Sequence, residues 1–206
     1  MDSDQRYATA VLLFFVVLAA VRARSFAANV PAGWRTYRSP DHGFMVAYPK
    51  DFKFHPNSTE AQLSVIPICD EGTVACFEYS GSEYEGTRLE AAGIAVNIVS
   101  GARTEKECNK IDTGQFPIKR EIINGIDFHY GETGGAAAGS VIGGPAYRTF
   151  RNGVCFELAL RVATDNTPHD DTGLVVQFDS TKLEVKLRKI LHTFRFVDSA
   201  GRAKSK

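Results

Sequence analysis

Apolar and polar positions alternate along much of the chain between Trp34 and Val162, and the pattern predicts strands. Phe44, Val46 and Tyr48 fall on one side of a strand and Met45 and Ala47 on the other. A strand from Trp34 to Arg38 precedes it across the turn Pro40-Asp41-His42-Gly43. Pro49 ends the second strand, and Phe52 and Phe54 are expected to return to the core from a loop. Gln62 to Cys69 and Val74 to Tyr79 predict a hairpin, followed by a short helical turn near Leu89. Ile94-Ala95-Val96-Asn97-Ile98-Val99 has the β-branched content of a buried strand. Thr104 to Glu107 predicts a short helix carrying Cys108.

Two Asn-Gly pairs, Asn124-Gly125 and Asn152-Gly153, predict type I′ hairpin turns, because both central residues of that turn need positive φ. With Asn152 and Gly153 as the turn residues, Arg151 lies opposite Val154, Phe150 opposite Cys155, Thr149 opposite Phe156 and Arg148 opposite Glu157. Val154, Phe156, Leu158, Leu160 and Val162 then share the core face, and Arg148, Glu157 and Cys155 take the other. The glycine-rich stretch from Gly131 to Gly144 reads as a flexible loop, since it links antiparallel strands and does not open a helix as a phosphate cradle must. From Ser180 to His192 the apolar residues Leu183, Leu187, Ile190 and Leu191 fall on one helical face. Thr181 with Glu184 offers a capping box there, although Asp179 or Ser180 could equally be the N-cap. A last short strand is expected over Thr193 to Val197, and residues 198–206 read as a disordered polar tail.

Ahead of these elements, Ala8 to Val21 is an uncharged apolar run with Arg22 and Arg24 behind it and small residues at Ser25 and Ala27. It is shorter than the roughly 20 residues a membrane span needs and has the length of a secretory h-region. Residues 1–27 are therefore expected to be a cleaved signal peptide, with an uncleaved N-terminal anchor as the alternative and residues 28–197 as a single domain. The net charge is zero, from 24 Lys plus Arg and 24 Asp plus Glu, which removes the basic field that nucleic acid or an anionic membrane surface would select. A nucleic-acid partner is not expected, and membrane contact only through an uncleaved N-terminal segment. The location expected is extracytoplasmic, periplasmic or secreted, or membrane-anchored by residues 8–21.

Four cysteines in that compartment read as disulfides. Cys69 and Cys76 flank a turn-like stretch and are expected to pair, which leaves Cys108 for Cys155 and requires the short helix to cover the second face of the Cys155 strand. A metal site is the alternative, but the cysteine spacing lacks a second close pair or a His partner.

Tyr37-Arg38-Ser39-Pro40-Asp41-His42-Gly43-Phe44-Met45-Val46-Ala47-Tyr48-Pro49 resembles the opening motif of PsbP/Mog-like domains and related exported bacterial proteins. Ile190-Leu191-His192-Thr193-Phe194-Arg195-Phe196 resembles their closing helix and strand, and Tyr84 to Gly93 the approach to their central strand. The resemblance implies an α+β fold, an antiparallel sheet of about six to eight strands with flanking helices, and a domain that docks without catalysing. The shared motif residues look architectural, so no binding residue follows from them.

The densest group of metal-ligand types is His169-Asp170-Asp171, which also reads as a solvated turn. No nucleophile elbow, phosphate loop or zinc-protease motif is present, and no cofactor is expected. The function expected is that of an exported, periplasmic or cell-envelope, non-enzymatic binding or accessory domain with a protein or small-molecule partner. One alternative is a hydrolase or metal-dependent enzyme with a site near His42, His129 and the Asp165 to Asp171 loop; another is a structural envelope component. The h-region reading has a direct consequence: sequencing the N-terminus of exported protein should begin at Ala28, and finding residues 1–27 intact would favour the anchor.

Overall fold

A computed structural model describes residues 30–56, 68–69, 72–137, 139–166 and 179–197. The chain divides into two compact units, 1–34 and 35–206. Of the first, only residues 30–34 are described, a turn in which the Trp34 N–H donates to the Pro31 carbonyl at 3.1 Å. The signal segment 1–27, the tail 198–206 and His169, Asp170 and Asp171 lie outside the described residues.

The described part of the second unit has ten strands and two helices. In chain order they are β1 (Arg35–Ser39), β2 (Phe44–Tyr48), β3 (Phe52–His55), β4 (Thr73–Tyr79), β5 (Leu89–Ile98), α1 (Glu105–Cys108), β6 (Lys119–Ile123), β7 (Ile126–Ala137), β8 (Ser140–Arg151), β9 (Val154–Asp165), α2 (Ser180–Leu191) and β10 (Arg195–Phe196). A seven-stranded sheet has the order β3-β4-β5-β9-β8-β7-β6, and a three-stranded sheet the order β1-β2-β10. Every pairing is antiparallel. The fold is thus mostly antiparallel β-sheet with two helices, one of them a single turn, where the sequence led to an α+β arrangement with one sheet of six to eight strands.

Both Asn-Gly pairs form the expected turns, with φ of 52° at Asn124 and Asn152 and of 77° and 80° at the following glycines. The β8–β9 register is the expected one, with Arg148 opposite Glu157 and Phe150 opposite Cys155. Phe156, Leu158 and Leu160 on one face of β9 are buried. The small sheet packs on that face through ring contacts of Phe44 with Phe156 and of Tyr48 with Phe77. On the other face Cys155 bonds Cys108 with Cα atoms 5.4 Å apart, which brings α1 over the sheet. The expected Cys69–Cys76 bond also forms, with Cα atoms 6.0 Å apart. On the chain-entropy view these crosslinks contribute about 4 and about 2.5 kcal/mol respectively. Beside them a polar chain runs from Thr73 Oγ1 to Asn97 Oδ1 (2.8 Å) and from Asn97 Nδ2 to Glu157 Oε1 (3.2 Å). The guanidinium of Arg148 completes it, its Nε donating to Glu157 Oε2 at 2.7 Å.

Helix α2 is capped by Asp179, whose side chain accepts from the Thr181 N–H at 2.9 Å. Leu183, Leu187, Ile190 and Leu191 are buried, as the spacing predicted. Their burial contributes about 6 to 12 kcal/mol as an upper estimate, which far exceeds what a twelve-residue helix can hold by itself.

Three local expectations are overturned. Phe52 and Phe54 lie in β3, held by pairing with β4 from Phe52↔Tyr79 to His55↔Cys76. Of the hairpin strand expected from Gln62 to Cys69, residues 62–67 lie outside the described residues; Ile68 and Cys69 form a bend, and β4 pairs with β3 on one edge and β5 on the other. Leu89 opens β5 and no helical turn surrounds it. The stretch from Gly131 to Gly144 is the paired arms of β7 and β8, matched from His129↔Arg148 to Ala137↔Ser140. Ladder hydrogen bonds need only backbone, so glycines can pair, and some of these glycines are required by packing. A Cβ at Gly134 would stand 2.7 Å from the Ile142 carbonyl oxygen, and one at Gly144 would collide with that of Leu160, at a φ of 140°.

Gly144→Ala should therefore destabilise the domain by about 1 to 3 kcal/mol. Gly143→Ala should do no harm, since its Cβ would meet nothing closer than 3.7 Å. Thermal melts of the two variants side by side check the contrast.

Candidate ligand-binding cleft

The sheet face that carries Leu158 and Leu160 is covered by α2 only part-way along. Beyond Tyr147 the strand β8 continues with Ala146, Pro145, Gly144 and Gly143, residues that present little or no side chain. Pro145 has no N–H for a ladder, and the pairing of β8 with β9 lapses at positions 144 and 145, between Gly143↔Val162 and Ala146↔Ala159. The result is a cleft of about 580 Å³ between this stretch, the end of β9 and the first turns of α2. Val141, Pro145, Leu160, Val162 and Leu187 supply its apolar wall. Its polar lining includes Arg88, Glu132, Asp165, Glu184 and Arg188.

Two arginines define the chemistry. Arg188, on α2, donates from Nη1 to Tyr147 Oη at 2.8 Å and from Nη2 to Glu121 Oε2 at 3.1 Å, so its guanidinium is held against the sheet by the protein itself. Tyr147 is fully buried, and loss of solvent pushes its phenol well above the usual value of 10 despite the nearby Arg188. Arg88 precedes β5. Its carbonyl accepts the Asp165 N–H at 2.9 Å, and the Thr87 hydroxyl accepts the Leu89 N–H at 3.2 Å, which fixes the backbone on both sides. Its Nε is buried and has no hydrogen-bond partner among the described residues.

Of the described residues singled out by the sequence, His42 and His129 do not line this cleft. His42 sits in the β1–β2 turn with Nδ1 3.1 Å from Ser39 Oγ. It lines a separate hollow of about 350 Å³ with Arg151, Asn152 and Phe196, at the Val154 end of β9. His129 lies on β7 opposite Arg148, which lies opposite Glu157. Asp165 is at the far end of β9, about 27 Å from Glu157 and about 36 Å from Val154 at 3.3 Å per residue. Asp165 alone of the three lines the cleft. Among the described residues no group of three His, Cys, Asp or Glu side chains could hold a metal ion. Arg88, Arg188 and Tyr147 were missed because nothing local marks them. The signal within reach was Gly143-Gly144-Pro145, a proline inside a strand pattern. A larger and more open hollow of about 740 Å³, between the glycine arms and residues 112–116, is walled mostly by backbone and small side chains.

No protein-family model matches the chain, and no curated protein does. Solved structures similar to it include the following two. One is a crystal structure from Bacteroides thetaiotaomicron VPI-5482, 12% identical with a TM-score of 0.46 over 80% of this chain and 48% of that one. The other is the solution structure of cyanobacterial PsbP (CyanoP) from Synechocystis sp. PCC 6803, 10% identical with a TM-score of 0.41 over 81% of this chain and 94% of that one. The chain spans about half the length of the Bacteroides protein.

Burial of Tyr147 has a measurable consequence at high pH. Its raised pKa gives stability that is fully present below pH 10, where the unfolded phenol would ionise, and is lost as pH rises beyond it. Tyr147→Phe should flatten that alkaline loss, read as melting temperature between pH 9 and 11.

Proposed function

We propose that the chain is an exported PsbP/Mog-like domain that binds a small ligand in the cleft between β8, β9 and α2 and performs no chemistry of its own. The observation that carries this reading is a cleft of about 580 Å³ whose apolar wall is edged by charged groups, among them Arg88, which has no side-chain partner among the described residues. Clefts of roughly 300 to 1,000 Å³ with few, placed polar groups are the usual form of small-molecule sites. A guanidinium that the protein itself leaves without an acceptor is available to an anionic group of a ligand. His42 and Asp165 lie at opposite ends of β9, so they do not by themselves support an enzyme site. Two disulfides fit an extracytoplasmic location, as does the apolar run from Ala8 to Val21. Among the described residues no helix is long and apolar enough to cross a membrane.

A side chain at Gly143 would enter the cleft without a backbone clash, which provides the test. The fluorescent probe 8-anilinonaphthalene-1-sulfonate, an apolar body with one anionic group, should bind the wild-type chain saturably. Gly143→Leu should weaken that binding at least tenfold with the melting temperature unchanged or raised. Absence of saturable binding, or equal binding by the variant, would refute the cleft as a ligand site.

A further inference from the structure

We propose that the cleft takes a short zwitterionic peptide with apolar side chains, its carboxylate on Arg88 and its ammonium group at the rim formed by Glu132 and Glu184. This rests on the cleft being a binding site and adds the class of its ligand.

The charges around the cleft are not equivalent. The guanidinium of Arg188 is engaged by Tyr147 and Glu121, so it serves as wall more than as anchor. Asp165 is likewise engaged within the protein. Arg88 has no side-chain acceptor among the described residues, and since its Nε is closed off from solvent its terminal Nη groups are the ones a ligand can reach. A guanidinium presents parallel N–H donors that match a carboxylate in two-point contact, and the fixed backbone at Arg88 means little order remains to be lost when one arrives. A lone cation in this position would suit any anion, inorganic phosphate included. The rim argues otherwise. Glu132 comes from β7 and Glu184 from α2; both are exposed, and neither has a partner among the described residues. Their field opposes a ligand carrying two negative charges and favours one whose second charge is positive.

Between the charged ends lies the apolar surface of Val141, Pro145, Leu160, Val162 and Leu187, which rewards aliphatic side chains through burial. A volume of about 580 Å³ suits a ligand of drug-like size, larger than a single amino acid. A zwitterion with aliphatic side chains and the length of two or three residues satisfies all three features at once.

Calorimetric titration of the full, oxidised chain with Leu-Leu-Leu, its C-terminal amide and its N-acetyl form tests the assignment. The free tripeptide should bind with one site per chain and displace 8-anilinonaphthalene-1-sulfonate. The amide should bind at least tenfold more weakly and the acetylated form severalfold more weakly, because the rim charges are more exposed. Arg88→Met should lose the tripeptide to the same degree as the amide does. That variant should also melt no lower than wild type, since an apolar side chain replaces an unpaired buried donor. If the dye binds and Gly143→Leu blocks it, yet the tripeptide neither binds nor displaces the dye, the peptide class is overturned and the cleft stands. Equal binding of the amide, equal binding by Arg88→Met, or displacement of the dye by inorganic phosphate at lower concentration than by the tripeptide would likewise overturn it. If the dye does not bind, both readings fall.

Discussion

Asn152 and Gly153, both at positive φ, hold β8 against β9 in a register that decides what each face of the large sheet carries. A slip of one residue would exchange the two faces. In the observed register Phe156, Leu158 and Leu160 meet the aromatic cluster of the small sheet and the apolar stripe of α2. Cys155 and Glu157 point the other way, where Cys108 and Arg148 meet them. The crosslink at Cys155 keeps α1 over a face that would otherwise expose the polar chain from Thr73 to Arg148. That chain makes each buried polar atom a partner of the next. Removing Arg148 would leave Glu157 charged and largely buried, at a cost of about 3 to 5 kcal/mol.

The glycine arms of β7 and β8 weaken the sheet locally, by about 0.5 to 1 kcal/mol per residue relative to alanine. Their pairing with each other and with β9 offsets this. What the glycines add is closeness at Gly134 and Gly144, and open space at Gly143. The same stretch that lets neighbouring backbones approach therefore leaves a concavity on the core face, where a side chain of ordinary size would have completed the packing under α2. The cleft is a consequence of residue size along one strand, and Pro145 enlarges it by interrupting the ladder.

Electrostatics in this chain is local. Net charge is zero, and many of the described charges occur in pairs, among them Lys186 with Asp51 and Glu83, Arg188 with Glu121, and Arg120 with Asp127. Lys186 joins α2 to the turns at Asp51 and Glu83, and Arg188 joins it to Glu121 on β6, so these pairs orient the helix whose first turns border the cleft. Against that background Arg88 lines the cleft with no side-chain partner among the described residues.

The sequence by itself determined the features that depend on neighbours along the chain. Positive-φ turn residues set two hairpins and one complete register, a single apolar stripe set the buried face of α2, and the closeness of Cys69 to Cys76 along the chain set the disulfide pairing. Where local composition and tertiary context disagree, the sequence misled. Gly131 to Gly144 has the composition of a loop, yet adjacent strands supply enough backbone partners to make it sheet. Phe52 and Phe54 form a strand only because β4 lies alongside. The cleft was invisible for a stronger reason. Arg88, Glu132, Leu160 and Glu184 are spread over nearly half the chain, and only the strand order that places β5, β9, β8 and β7 side by side, with α2 across them, brings them to one cavity.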